Sequence, residues 1–172
     1  MAQLVLTLAG SDRAGLVKAL AEVVAEHDGN WERSELSELA GVFAGVVLVS
    51  VADDRAEAFT SALSSLDGLL KVTAHGGTQD DGAPDGQSLE FTVLGNDRPG
   101  IVRDVTTALE RHSVNIDRFE SRTLEAPMAG GMLFEATAVV RMAGDEDAVA
   151  LMRALERLAD EIQVDLTLAT TP

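Results

Sequence analysis

Two short polar loops carry the residues best suited to chemistry: Gly10-Ser11-Asp12-Arg13-Ala14-Gly15 and Gly95-Asn96-Asp97-Arg98-Pro99-Gly100. Each follows an alternating apolar stretch and precedes an apolar stripe at helical spacing, so each turns a strand sharply into a helix. An exposed helix N-terminus with small neighbours has free N–H groups that suit a carboxylate. Taken alone, the loop reads first as capping: Asp97 is placed to cap the free amides, and Pro99 fits the first helical turn, where its missing N–H is no loss. Gly95 and Gly100 allow positive φ or the close approach of another group. The spacing matches neither the dinucleotide fingerprint nor the Walker loop.

Catalytic chemistry finds no comparable pattern. The histidines are His27, His75 and His112, and the chain has no cysteine and no tyrosine. His27 and His112 fall in the last turn of a predicted helix, where a cation suits the helix dipole. Asp145-Glu146-Asp147 reads as an acidic helix start. No catalytic residue, no metal site and no cofactor are predicted.

The two loops are positioned by a duplication. Displaced by 85 residues, the segment from Leu4 to Val17 falls on Leu89 to Val102, and the register continues with His27 on His112, Asn30 on Asn115, Arg33 on Arg118 and Glu35 on Glu120. Such a match through two polar loops exceeds what apolar periodicity produces. In the first copy Leu4, Leu6 and Leu8 alternate as a strand, and Leu16, Leu20, Val23 and Val24 follow as a helix. Two extended segments, 30–39 and 42–51, come next, then a helical stripe of Phe59, Ala62, Leu63 and Leu66 and a closing strand at 70–74. The second copy repeats this with strands at 89–93, 116–124, 132–142 and 162–168 and helical stripes at Ile101–Leu109 and Leu151–Leu158. Residues 77–87, rich in glycine and acid, read as a linker between units 1–76 and 88–172. The β-α-β-β-α-β order predicts α+β modules of ferredoxin-like topology, each a four-stranded antiparallel sheet with both helices on one face. Aligning Phe43 with Phe134 requires a shift of 91, so six extra residues enter the second copy around Glu125 to Gly131, as a longer hairpin.

Composition narrows the function classes. With 29 acidic and 13 basic residues the 172-residue chain carries a net charge of −16, the wrong sign for neutralising phosphates, which argues against direct nucleic-acid binding. Without cysteine there are no disulfides, which fits a reducing compartment. No apolar run approaches the roughly 20 residues needed to cross a bilayer, and no signal-like segment opens the chain, so a cytoplasmic location is expected.

The module order together with Asn96-Asp97-Arg98-Pro99-Gly100-Ile101-Val102, continued by Val114-Asn115-Ile116, resembles the ACT domain. The resemblance covers both copies; in the first, Ala14 stands for the proline and Trp31 for the isoleucine. Two such modules, with Glu120-Ser121-Arg122-Thr123, Ala126-Pro127-Met128 and Phe134, also resemble the family of glycine cleavage system transcriptional repressors. The resemblance implies a non-enzymatic regulator that senses an amino acid, such as glycine, bound where two ACT units meet. It implies contacts from Asn96, Asp97, Pro99, Gly100, Ile101, Asn115 and Ile116, and from the equivalent Ser11, Asp12, Gly15, Leu16 and Asn30. Loop amides would hold the carboxylate, and Asp97 or the Asn115 oxygen the ammonium. It further implies homo-oligomers and a protein partner such as a DNA-binding regulator. The alternative is a ligand-free ACT module for dimerisation and protein–protein interaction. Formyltetrahydrofolate deformylases begin with similar sequence, but their hydrolase portion has no counterpart here.

Overall fold

The fold is that of a computed structural model describing residues 1–77, 87–112, 114–126, 130–142, 145–162 and 164–170. Most of the expected linker and the centre of the expected insertion, 127–129, lie outside the described residues. The chain divides into two compact units.

In the first unit β1 (Ala2–Ser11), α1 (Leu16–Glu26), β2 (Asn30–Leu39) and β3 (Val42–Val51) are followed by a helical stretch and β4 (Lys71–Gly76). The sheet order is β2-β3-β1-β4, antiparallel throughout. Period-two alternation puts Leu6, Leu8, Val47, Val49 and Val51 on one face, where they pack with Leu16, Leu20, Val23 and Val24 of α1 into one core. That face is therefore the one the helices cover. Ala40 and Gly41, at φ 51° and 81°, make the tight β2–β3 turn whose twist matches the strands it joins.

The predicted helical stripe at Phe59–Leu66 is divided between α2 (Ala56–Ala62) and a 3-10 segment (Leu63–Leu66), and a 3-10 turn (Asp53–Arg55) precedes them. Thr60 donates to the Ala56 carbonyl at 2.8 Å and Ser64 to that of Ser61 at 2.7 Å; such local bonds compete with regular helix geometry. The stripe survives the interruption, with Phe59, Leu63 and Leu66 buried.

The second unit repeats the plan with β5 (Gln87–Asn96), α3 (Ile101–Glu110), β6 (Asn115–Glu125), β7 (Met132–Met142), α4 (Asp145–Ile162) and β8 (Val164–Thr170), in sheet order β6-β7-β5-β8. Its core gathers Leu89, Phe91, Val105, Leu109, Ala138, Val140, Leu151 and Leu155. Phe43 pairs with Gly10 and Phe134 with Gly95, so the 91-residue shift aligns equivalent positions. Among the described residues no helix is long and apolar enough to cross a membrane.

Candidate functional site

Both loops enter their helices the same way, and not by the expected capping. Gly15 and Gly100 are the N-cap residues, with φ 94° and 90°, a backbone state that glycine adopts without penalty. No side chain caps either helix. Pro99 accordingly precedes the N-cap instead of occupying the first turn, and Asp97, three residues before the N-cap, does not reach the amides. The left-handed glycine sets the helix entry, so the first-turn N–H groups are left without side-chain partners.

The backbone of each aspartate is pinned. Asp12 N–H donates to the Gly41 carbonyl and Asp97 N–H to that of Met132, both at 2.9 Å, which ties each loop to the neighbouring hairpin. The carboxylates of Asp12 and Asp97 have no hydrogen-bond or ion-pair partner among the described residues. The adjacent arginines act as clamps. Arg98 Nη2 donates to Asp104 Oδ2 at 2.8 Å, and Arg103 Nη2 to Asp104 Oδ1 at 3.2 Å. These bonds, Arg98 first, hold the Asp104 carboxyl below its ordinary value of 3.8. In the first unit Arg13 Nη2 instead donates to the Gly68 carbonyl at 2.6 Å. Gly95 has a second use: a Cβ there would lie 2.3 Å from Val164 Cγ1, and one on Gly10 would lie 2.4 Å from the Leu69 carbonyl oxygen. The strand end must stay bare for the neighbouring chain to pass.

The remaining expected contacts divide. Ile101 and Leu16 are buried at 3% exposure, so they can offer a ligand only backbone N–H. Asn115 and Ile116 are exposed, whereas Trp31, in the place of Ile116, packs against the first core. Asn96, Asp97 and Pro99 are exposed, as are Ser11, Asp12, Gly15 and Asn30, and Gly100 is half-buried.

Within one unit these residues form two groups, not one. Asn115 pairs with Arg141, which lies opposite Ser88, whereas the glycine loop follows Asn96 at the far end of β5. Eight residues of strand separate Ser88 from Asn96, roughly 25 Å at the usual rise. Asn30, opposite Ser50 and hence level with Gln3, is likewise remote from Ser11 and Asp12. The sequence offset concealed this, because α1 and α3 carry the chain back along the sheet between loop and asparagine.

Two acids beside the asparagines escaped the sequence reading. Each sits at a break in strand register, Glu32 between Trp31 and Arg33 and Asp117 between Ile116 and Arg118, where a bulge re-aims the side chain. Asn115 Nδ2 donates to Asp117 Oδ1 at 3.1 Å, and Arg141 grips the same carboxylate through Nε at 2.9 Å and Nη2 at 2.6 Å. In the first unit Asn30 Nδ2 donates to Glu32 Oε1 at 3.2 Å and Ser50 Oγ to the same oxygen at 2.6 Å. Arg141 lowers the Asp117 carboxyl, and Ser50 lowers that of Glu32. The repeated acid two residues after asparagine was the available signal; its partners on β3 and β7 were not visible before pairing was known.

Residues 2–75 match one ACT-domain family model and residues 90–160 another. A crystal structure of an unknown protein from Galdieria sulphuraria superposes with a TM-score of 0.88 at 32% identity, covering 99% of both chains. A second, of a protein with the proposed role of glycine cleavage system transcriptional repressor, superposes with a TM-score of 0.74 at 17% identity, covering 99% of this chain and 97% of the other. No curated protein matches the sequence. The paired family matches, the repeated glycine-capped loops and the two β-α-β-β-α-β sheets agree: the chain belongs to the ACT-domain family, with two ACT modules in tandem.

Proposed function

We propose that this protein is a non-enzymatic regulator that senses a small amino acid and passes its bound state to a protein partner. The observation that carries the reading is the duplicated loop, in which an uncapped helix start stands beside an aspartate whose carboxylate has no partner among the described residues. First-turn amides bind the ligand carboxylate, and an acceptor oxygen binds its ammonium. Loop and asparagine lie at opposite ends of one sheet, so no single ligand of amino-acid size spans both within one unit. A ligand held by such groups acts on the partner through its different affinity for two states of the protein.

Glycine is the preferred candidate, through the fold shared with the proposed glycine cleavage repressor. Control of transcription would run through a DNA-binding partner, because the −16 charge repels nucleic acid. Calorimetry with a panel of amino acids tests the reading. Binding of one of them, weakened about tenfold or more in Asp97→Ala and in Asn115→Ala, is the expected result, from the loss of one charge-assisted hydrogen bond. Turnover of an amino acid or a folate would overturn it.

One observation favours a second reading, a ligand-free interaction module. Leu39, Val42 and Val46 of the first unit are 79%, 49% and 42% exposed, and all lie on the sheet face away from the helices. A homodimer that binds no amino acid would support this alternative.

A further inference from the structure

The asparagine of each unit is held in one orientation by its neighbours. A primary amide presents one donor group and one acceptor. With Nδ2 of Asn115 anchored on Asp117 Oδ1 at 3.1 Å, Oδ1 is the atom left to face outward, and it has no partner among the described residues. Turning the amide over would set Oδ1 against a carboxylate oxygen at the same distance with no proton between them. Arg141 prevents the carboxylate from moving aside, because its two bonds occupy both Asp117 oxygens. The first unit reaches the same result with other parts: a longer acid, Glu32, and a neutral hydroxyl, Ser50. Only the asparagine-to-acid bond is common to both, which marks it as the feature the bulge serves.

We infer that Asp117 is a positioning residue that fixes the Asn115 amide with its oxygen outward, so that the site accepts a hydrogen-bond donor and selects an amino acid over the corresponding 2-oxo acid. An oxo group has no proton to offer Oδ1, and its own oxygen would face another oxygen. Once Asp117 is removed, the amide is free to turn and present Nδ2, which an oxo group accepts. The inference rests on the amino-acid reading proposed above.

The test uses the full chain and two readouts: the side-chain amide resonances of Asn115, and calorimetry with each amino acid that binds and its 2-oxo analogue. Asp117→Ala is expected to shift the Asn115 amide signals and to lower the preference for the amino acid by roughly tenfold. Asp117→Glu is expected to restore both, since Glu32 shows that the longer acid reaches its asparagine at the bulge. A merely structural role would alter thermal stability without changing the ratio between the two ligands. Wild-type discrimination retained in Asp117→Ala overturns the inference and leaves the sensing reading standing. A wild-type chain that binds no amino acid overturns both, and is recognised by a flat wild-type titration instead of equal ratios. If Asp117→Ala does not fold, the wild-type chain decides: Asn115 amide signals that follow the titration of a carboxylate support the bond, and signals indifferent to it overturn the inference.

Discussion

Gly95 and Gly100 lie five residues apart in one loop and are required for different reasons. Gly100 holds φ 90°, and a Cβ there would meet only the Arg103 guanidinium, at 3.2 Å; the obstacle is the backbone. At Gly95 the obstacle is Val164. Gly100→Ala should cost about 1–3 kcal/mol of stability as left-handed strain, and Gly95→Ala about 1–3 kcal/mol as overpacking. Urea denaturation of a double variant separates the two: Val164→Ala should recover part of the loss in Gly95→Ala and none of it in Gly100→Ala. Both glycines were legible in the sequence as permissive positions. Which one answers to φ and which to a neighbour was not, because Val164 comes from a strand some seventy residues further on.

Helix α3 is anchored at its start by charge in place of a cap. Arg98 in the loop and Arg103 on the helix converge on Asp104, and the lowered folded-state pKa of Asp104 fixes the sign of the pH effect. The stabilisation is fully present above the unfolded value near 3.8 and is lost as pH falls through the folded value. Denaturation midpoints measured from pH 7 to pH 3 should therefore fall at the acid end, and Asp104→Asn should flatten that part of the profile while lowering the midpoint at neutral pH. At the opposite end the N–H groups of Arg111 and His112 donate to the Thr107 and Leu109 carbonyls, and the last turn packs into the core. Leu109, 1% exposed in the second core, should cost about 2–5 kcal/mol when replaced by alanine. The helix stripe announced that burial, whereas the switch from a capping Asp97 to an arginine-held Asp104 depended on the left-handed Gly100, a backbone state that residue identity permits without dictating.

Each unit encloses its own buried cluster, so we propose that residues 1–76 and 88–172 fold as separate fragments. At about 80 residues each would be marginal but cooperative. Circular dichroism melts of the two fragments check this, and Phe59→Ala, which empties a fully buried site in the first core, should remove about 3–5 kcal/mol from the first fragment. The net charge acts on the whole chain. At −16 self-repulsion opposes compactness, so raising salt from low to physiological concentration should raise the melting temperature, and a mobility-shift assay at physiological salt should show no retention of duplex DNA.

The duplication, the order of elements and the core faces were determined by the sequence alone, because they rest on repeated residues and periodicities along the chain, and the family was legible as a resemblance carried by Asp97-Arg98-Pro99-Gly100 and Asn115-Ile116. The ends of the sheet were not. Asp97 and Asn115 stand eighteen residues apart and carry complementary chemistry, yet helix α3 runs antiparallel to β5 and delivers Asn115 to the opposite end. Only strand pairing could decide that, and with it the partnership of Asn115, Asp117 and Arg141, since register brings together residues that no local spacing relates.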